Sequence, residues 1–166
     1  MKYDIVTIGD ASGDIFIRPK GLRMSENKAG VMAPQVSFEI GAKIPVEEAE
    51  FDIGGSACNT AVGFSRLGLD TSTIIALGED LASGRIFERL ESEDVNTSNI
   101  MSRKEFLANF SVIFLVGDER TIFIHRYLKD YGLLAPKKST KADWIYLGPF
   151  GEDQDKLSQN VLYLTS

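Results

Sequence analysis

The sequence predicts an α/β fold: a core of parallel strands and helices into which a small second sheet is inserted. Three observations carry this expectation. Residues 3–9 (YDIVTIG) are a short, β-branched apolar run closed by glycine, the pattern of a strand buried on both faces. Residues 54–68 set a diglycine before Ala57, Ala61, Phe64 and Leu67, which fall at helical spacing, and Gly68 terminates that helix. Between the two lie half-polar alternating stretches, which a single doubly wound sheet would not place between its first strand and its first helix.

The remaining elements follow in order. Residues 14–18 (DIFIR) alternate and stop at Pro19, so the chain leaves the first strand as extended structure, and residues 20–30 form a polar loop. Val36, Phe38 and Ile40 alternate with Gln35, Ser37 and Glu39, and Ile44 and Val46 continue after Gly41, giving strands with one wet face. Glu47, Glu48 and Glu50 read as a solvated strand end. Ser56 is the expected cap of the first helix, whose small residues let it lie close on a sheet. Residues 73–77 (TIIAL) form a second core strand, and residues 83–91 a second helix with Ile86, Phe87 and Leu90 inward. Asp80 and Ser83 read as the start of that helix rather than as a catalytic pair. Residues 110–116 and 121–126 flank the polar turn 117–120 as a hairpin that extends the inserted sheet. Residues 143–147 (DWIYL) return to the core before Gly148-Pro149, and Leu157, Val161, Leu162 and Leu164 open another apolar-faced helix.

Composition narrows the partners. The chain has 166 residues, 43% hydrophobic and 25% charged, enough apolar content to bury one core. A net charge of −6, with Lys and Arg scattered, argues against nucleic acid or an anionic membrane surface and favours a small solute. The amino terminus enters a strand directly, the apolar runs are strand-sized, and the single cysteine, Cys58, cannot form an intramolecular disulfide, so a cytoplasmic setting is expected. With one cysteine and one histidine, thiol catalysis and zinc ligation are poor fits. His125, in an alternating strand, is expected to pack or to face solvent.

Two places could carry chemistry. Gly54 and Gly55 let backbone approach a ligand, the first helical amides can donate to it, and Asn59 can both donate to and accept from hydroxyls. A tight loop would use the same glycines. Asp14, at the exit of the first strand, can accept from two neighbouring hydroxyls, or simply fill a turn. Residues 9–14 (GDASGD) suggest a dinucleotide-binding loop, but that chemistry needs a helix to follow at once, and here a strand and Pro19 follow.

The segment GGSACNTA at residues 54–61, with Leu67-Gly68 behind it, resembles the first signature of the ribokinase (phosphofructokinase-B) family of sugar kinases. Leu77-Gly78-Glu79-Asp80, Gly84 and residues 90–95 resemble the pattern that follows it, and the likeness runs from about Ile5 to Gly148. The resemblance implies a three-layer, Rossmann-like ribokinase-type core, incomplete here, with a small sheet as a lid at about residues 14–51 and 106–127. It implies phosphorylation of a hydroxymethyl group of a sugar or nucleoside using ATP and Mg2+, and sugar contacts at Asp14, Gly54, Gly55 and Asn59. Because the lid strands are two-faced and a small sheet must cover its apolar face, a homodimer through the lid is expected. Ser12 stands where the family often has asparagine, which shortens that contact. Arg126 resembles the family's arginine after the lid hairpin, where it either touches an acidic sugar or decorates an edge strand. The family's later glycine-rich motif with its catalytic aspartate is not found in these residues, nor is a Walker-type loop, so no catalytic, ATP or metal residue is assigned. These residues are therefore expected to hold substrate without turning it over. The other reading is a non-catalytic sugar-binding or dimerisation module derived from such a kinase.

Overall fold

The first apolar run forms β1 (Lys2–Ile8), which lies between β4 (Thr71–Ile74) and β9 (Lys141–Leu147) in a parallel sheet. The computed structural model describes residues 2–21, 35–128, 134 and 139–148. They form an α/β fold in two units, the first drawn from Met1–Gly13, Ile53–Phe110 and His125–Ser166, the second from Asp14–Asp52 and Ser111–Ile124.

In the first unit β1 is paired on both edges, which is why its sequence is almost continuously apolar. Val6 and Ile8 join Ile74 and Leu134 in one buried cluster. Thr7, between them, points the other way, and its hydroxyl donates to the Ala57 carbonyl at 3.0 Å and shares a 2.9 Å hydrogen bond with the Thr73 hydroxyl. Helix α1 (Ser56–Arg66) thus meets the sheet over Thr7, burying Ala57, Cys58 and Ala61. Helix α2 (Leu81–Ser92) adds Ile86 and Leu90 to the same cluster, with Ile75 and Leu77. The helix expected from Leu157 lies outside the described residues, as does most of the loop at 20–30.

Several expectations are corrected. Residues 73–77 are not one strand: β4 ends at Ile74 and β5 (Ala76–Leu77) pairs with β6 (Met101–Ser102) in a separate two-stranded sheet. Helix α2 starts at Leu81, earlier than the apolar spacing indicated, because Asp80 caps it by accepting the amides of Ala82 and Ser83. Phe87 and Leu67 are exposed rather than inward, Leu67 because it is already the C-terminal cap residue of α1. Among the described residues no helix is long and apolar enough to cross a membrane.

The second unit is built on a four-stranded sheet in the order β3-β2-β7-β8: β3 (Val46–Gly54), β2 (Ser12–Pro19), β7 (Asn109–Val116) and β8 (Glu119–His125). The expected hairpin is present, and Gly117, with φ 60, supplies the left-handed position that its two-residue turn requires. The alternating stretch from Val36 to Ile44 is not strand. Gly41, with φ 84, sits in a turn closed by Ala42 N–H donating to the Glu39 carbonyl at 3.1 Å. The strand begins only at Val46, so Glu47, Glu48 and Glu50 lie along an outer strand rather than at its end, and charges there discourage further pairing. Phe38, Phe114 and Phe123 pack edge to face in this unit, with ring centroids 5.4 and 6.0 Å apart.

The C-terminal ends of the two helices are joined by Glu93. It receives Arg66 Nε at 2.7 Å and Arg66 Nη2 at 2.5 Å, with Arg89 Nη2 at 3.2 Å. The Arg66 hydrogen bonds hold its carboxyl below the ordinary 4.5, outweighing the opposing effect of desolvation, with the charges of Arg66 and Arg89 adding to them. A lowered folded value means that this contribution to stability is present above the ordinary value and is lost as pH falls. Lowering the pH from about 6 to about 3 should therefore erode the melting temperature of the parent more steeply than that of Glu93→Gln, as read by circular dichroism. Parallel curves would show that the bridge adds nothing.

Candidate functional site

The start of α1 is shaped by one close approach. Gly55 has φ 92, and a Cβ on it would lie 2.3 Å from the Asp10 carbonyl oxygen and 2.7 Å from Ala11 Cα. Only glycine fits both the conformation and the space. Gly55, not Ser56, is the N-cap, and no side chain caps the helix. The Ser56 hydroxyl is instead buried where Gly9 and Gly148 leave room for it, with no hydrogen-bond partner among the described residues. The first-turn amides are not all available to a ligand, since Ala57 N–H donates to the Asp10 carbonyl at 3.2 Å.

Asp10 also gathers side chains. Its Oδ1 accepts Asn109 Nδ2 at 2.5 Å and its Oδ2 accepts Arg126 Nε at 3.3 Å. Asn109 Oδ1 in turn accepts the amides of Tyr127 at 2.8 Å and Leu128 at 3.3 Å. A cleft of about 110 Å³ lies beside this cluster, between Ala76, Phe106, Asn109, Tyr127 and Leu128. His125 packs against Phe110 in a tilted arrangement and against Tyr127 edge to face, with centroids at 5.5 and 4.4 Å, while remaining exposed.

The predicted site residues distribute as follows. Gly54, buried, and Gly55 lead directly into α1, and Asn59 is exposed one turn along, its carboxamide without a hydrogen bond among the described residues. Ser12 is buried at the head of β2, beside the Ala11 backbone that Gly55 covers. Arg126 lies just past β8 and is ion-paired with Asp10. Asp14 is partly buried two residues beyond Ser12, in the second unit. Sequence reasoning passed over Asp10 and Asn109. The signal for Asn109 was a carboxamide opening an apolar run, which when buried must find partners.

Helix α2 offers no anion site. The Asp80 carboxylate occupies its first-turn amides, and its Oδ2 also accepts the Ser83 hydroxyl at 2.7 Å and Ala108 N–H at 3.0 Å. Burial would raise the Asp80 pKa, but the hydrogen bonds from the Ser83 hydroxyl and the Ala108 and Ser83 amides outweigh it and hold it below the ordinary 3.8. An anionic cap repels phosphate. No three His, Cys, Asp or Glu among the described residues gather closely enough to hold a metal ion.

The model of the pfkB family of carbohydrate kinases matches residues 31–157. A ribokinase from Arabidopsis thaliana, solved with ribose and ATP, superposes with a TM-score of 0.58 at 23% identity, covering 75% of this chain and 36% of its own. A ribokinase from Cryptococcus neoformans, solved with ADP, gives 0.58 at 19% identity, covering 84% and 42%. A nucleoside kinase from Methanocaldococcus jannaschii gives 0.57 at 22% identity, covering 88% and 45%. At these identities the likeness is one of fold, and the chain spans less than half of each of these proteins. No curated protein matches it.

The close approach at Gly55 makes a quantitative expectation. Gly55→Ala should cost about 2 kcal/mol or more in urea denaturation, combining a strained φ with a backbone clash. Gly63→Ala, mid-helix with nothing within 4 Å of the new methyl, should instead stabilise by about 0.5–1 kcal/mol. Equal effects at the two positions would remove the special status of Gly55.

Proposed function

The chain belongs to the pfkB family of carbohydrate kinases, and on that footing we propose that it supplies the substrate-binding half of an enzyme that phosphorylates a sugar or nucleoside hydroxymethyl group with ATP and Mg2+. The observation that carries this reading is the exposed Asn59 carboxamide, one turn into a helix whose start is seated by Gly55 against the backbone of Asp10 and Ala11, just past β1. A carboxamide with both donor and acceptor free suits a vicinal diol. Asp14 adds a carboxylate acceptor, Gly54 and Gly55 add backbone, Ser12 a short hydroxyl, and Arg126 a cation for an acidic substituent. No step through ATP is assigned to the described residues. The four-stranded sheet acts as the lid, and the setting is cytoplasmic.

A non-catalytic sugar-binding or dimerisation module is the second reading, favoured by β8, where Ile122, Phe123 and Ile124 are all exposed on an outer strand. Under either reading a homodimer forms through this sheet, and replacing Phe123 by Lys should shift the sedimentation coefficient from dimer to monomer. A parent that sediments as a monomer at high concentration would rule the interface out.

Titration calorimetry with D-ribose, 2-keto-3-deoxygluconate and adenosine tests the substrate site. In the full-length enzyme, Asp14→Ala and Asn59→Ala should each weaken the sugar or nucleoside that binds by about 10- to 100-fold, the loss of a charged or bidentate hydrogen bond, with ATP affinity unchanged. A defect confined to ATP binding would sink the site assignment. ADP formation by the 166-residue chain alone would sink the division into halves.

A further inference from the structure

Asp10 meets three separate segments of the first unit, and the substrate contacts proposed above make no use of it. Its carbonyl accepts Ala57 N–H and lies against Gly55, which seats the start of α1. Its carboxylate accepts Asn109 and Arg126. Asn109 is 4% exposed, and a buried carboxamide must satisfy donor and acceptor together. It does so by donating to Asp10 and accepting the Tyr127 and Leu128 amides, which fixes the chain leaving β8. Arg126 is held through Nε alone. Among the described residues its Nη1 and Nη2 have no partner, and its side chain is 50% exposed against 15% for Asp10. A guanidinium gripped at Nε keeps its outer donors for another acceptor.

We propose that Asp10, braced by Asn109, is a positioning residue of the substrate site. One residue anchors the start of α1 through its backbone and Arg126 through its carboxylate, so both are presented in one register to the same bound molecule. The inference rests on the kinase reading for the identity of that molecule, but the shared anchor is a property of the ligand-free protein. Its energetic logic is preorganisation: a long arginine that must be ordered on binding costs side-chain entropy, and Asp10 orders it beforehand.

The test is a swap. Asp10→Asn turns a donor toward Arg126 or Asn109, and Asn109→Asp sets two carboxylates together, whereas the double variant Asp10→Asn/Asn109→Asp can restore these four hydrogen bonds, with donor and acceptor exchanged only between positions 10 and 109. Amide hydrogen exchange at Ala57, Tyr127 and Leu128 in the ligand-free protein should quicken about tenfold or more in each single variant and recover in the double one. Calorimetry with D-ribose, 2-keto-3-deoxygluconate and adenosine should show the probe that the parent binds weakened about tenfold in the single variants and recovered in the swap. A single variant that fails to fold while the swap folds and binds also supports the anchor. Unchanged exchange at all three amides overturns it whatever the ligand. Faster exchange with unchanged binding overturns the positioning role and leaves the kinase reading intact. If the parent binds none of the probes while exchange responds as expected, the kinase reading fails, and with it the part assigned to Asp10 in substrate binding.

Discussion

The contact of Gly55 with the backbone of Asp10 and Ala11 is the constraint on which the first unit depends. It brings a helix start within van der Waals distance of the end of the central strand, and this dictates what can follow along α1. The face toward the sheet is Ala57, Cys58 and Ala61, because larger side chains would hold the helix away. Close approach also lets Thr7, a polar residue at the centre of an apolar strand, donate to a helix carbonyl instead of remaining unsatisfied. Packing and polar satisfaction thus have one cause.

The two helix starts differ in a way that bears on chemistry. The start of α2 is closed by an ionised aspartate that spends both oxygens on local donors, and a wider cleft of about 340 Å³ beside it, lined in part by Asp80, Ser83 and Phe87, therefore meets groups already satisfied. The start of α1 carries no acidic residue and no side-chain cap, and it displays an exposed carboxamide one turn on.

Much of the fold was legible because it is local. The apolar run of β1, the hairpin of β7 and β8, the strand β9 and the small-residue face of α1 all follow from periods of two and of 3.6 and from turn glycines. The misreadings share a different cause. Ser56 looked like a cap because serine usually is one, but the close approach at Gly55 moved the cap back by a residue. Val36 to Ile44 alternate like a strand, yet Gly41 turns the chain before a strand can form. Phe87 has the apolarity of a core residue, but Ile86 and Leu90 already fill the stripe that α2 buries. Of the site, the diglycine, Asn59, Asp14, Ser12 and Arg126 were visible as residue types in suggestive places.

Tertiary structure alone decided what those residues do to one another. Asn109 and Arg126 lie 99 and 116 positions from Asp10, and no periodicity or spacing rule reaches across such separations. Local pattern determined which segments are strands and helices, because hydrogen bonding and burial within an element depend on neighbours in the chain. Which carboxylate meets which amide depends on how strand exits are brought side by side, and that is settled by the parallel pairing of β1 with β4 and β9 and by the seat of α1 on Asp10. The chemistry of single residues is therefore written in the chain, whereas their partnership exists only once the sheet has assembled.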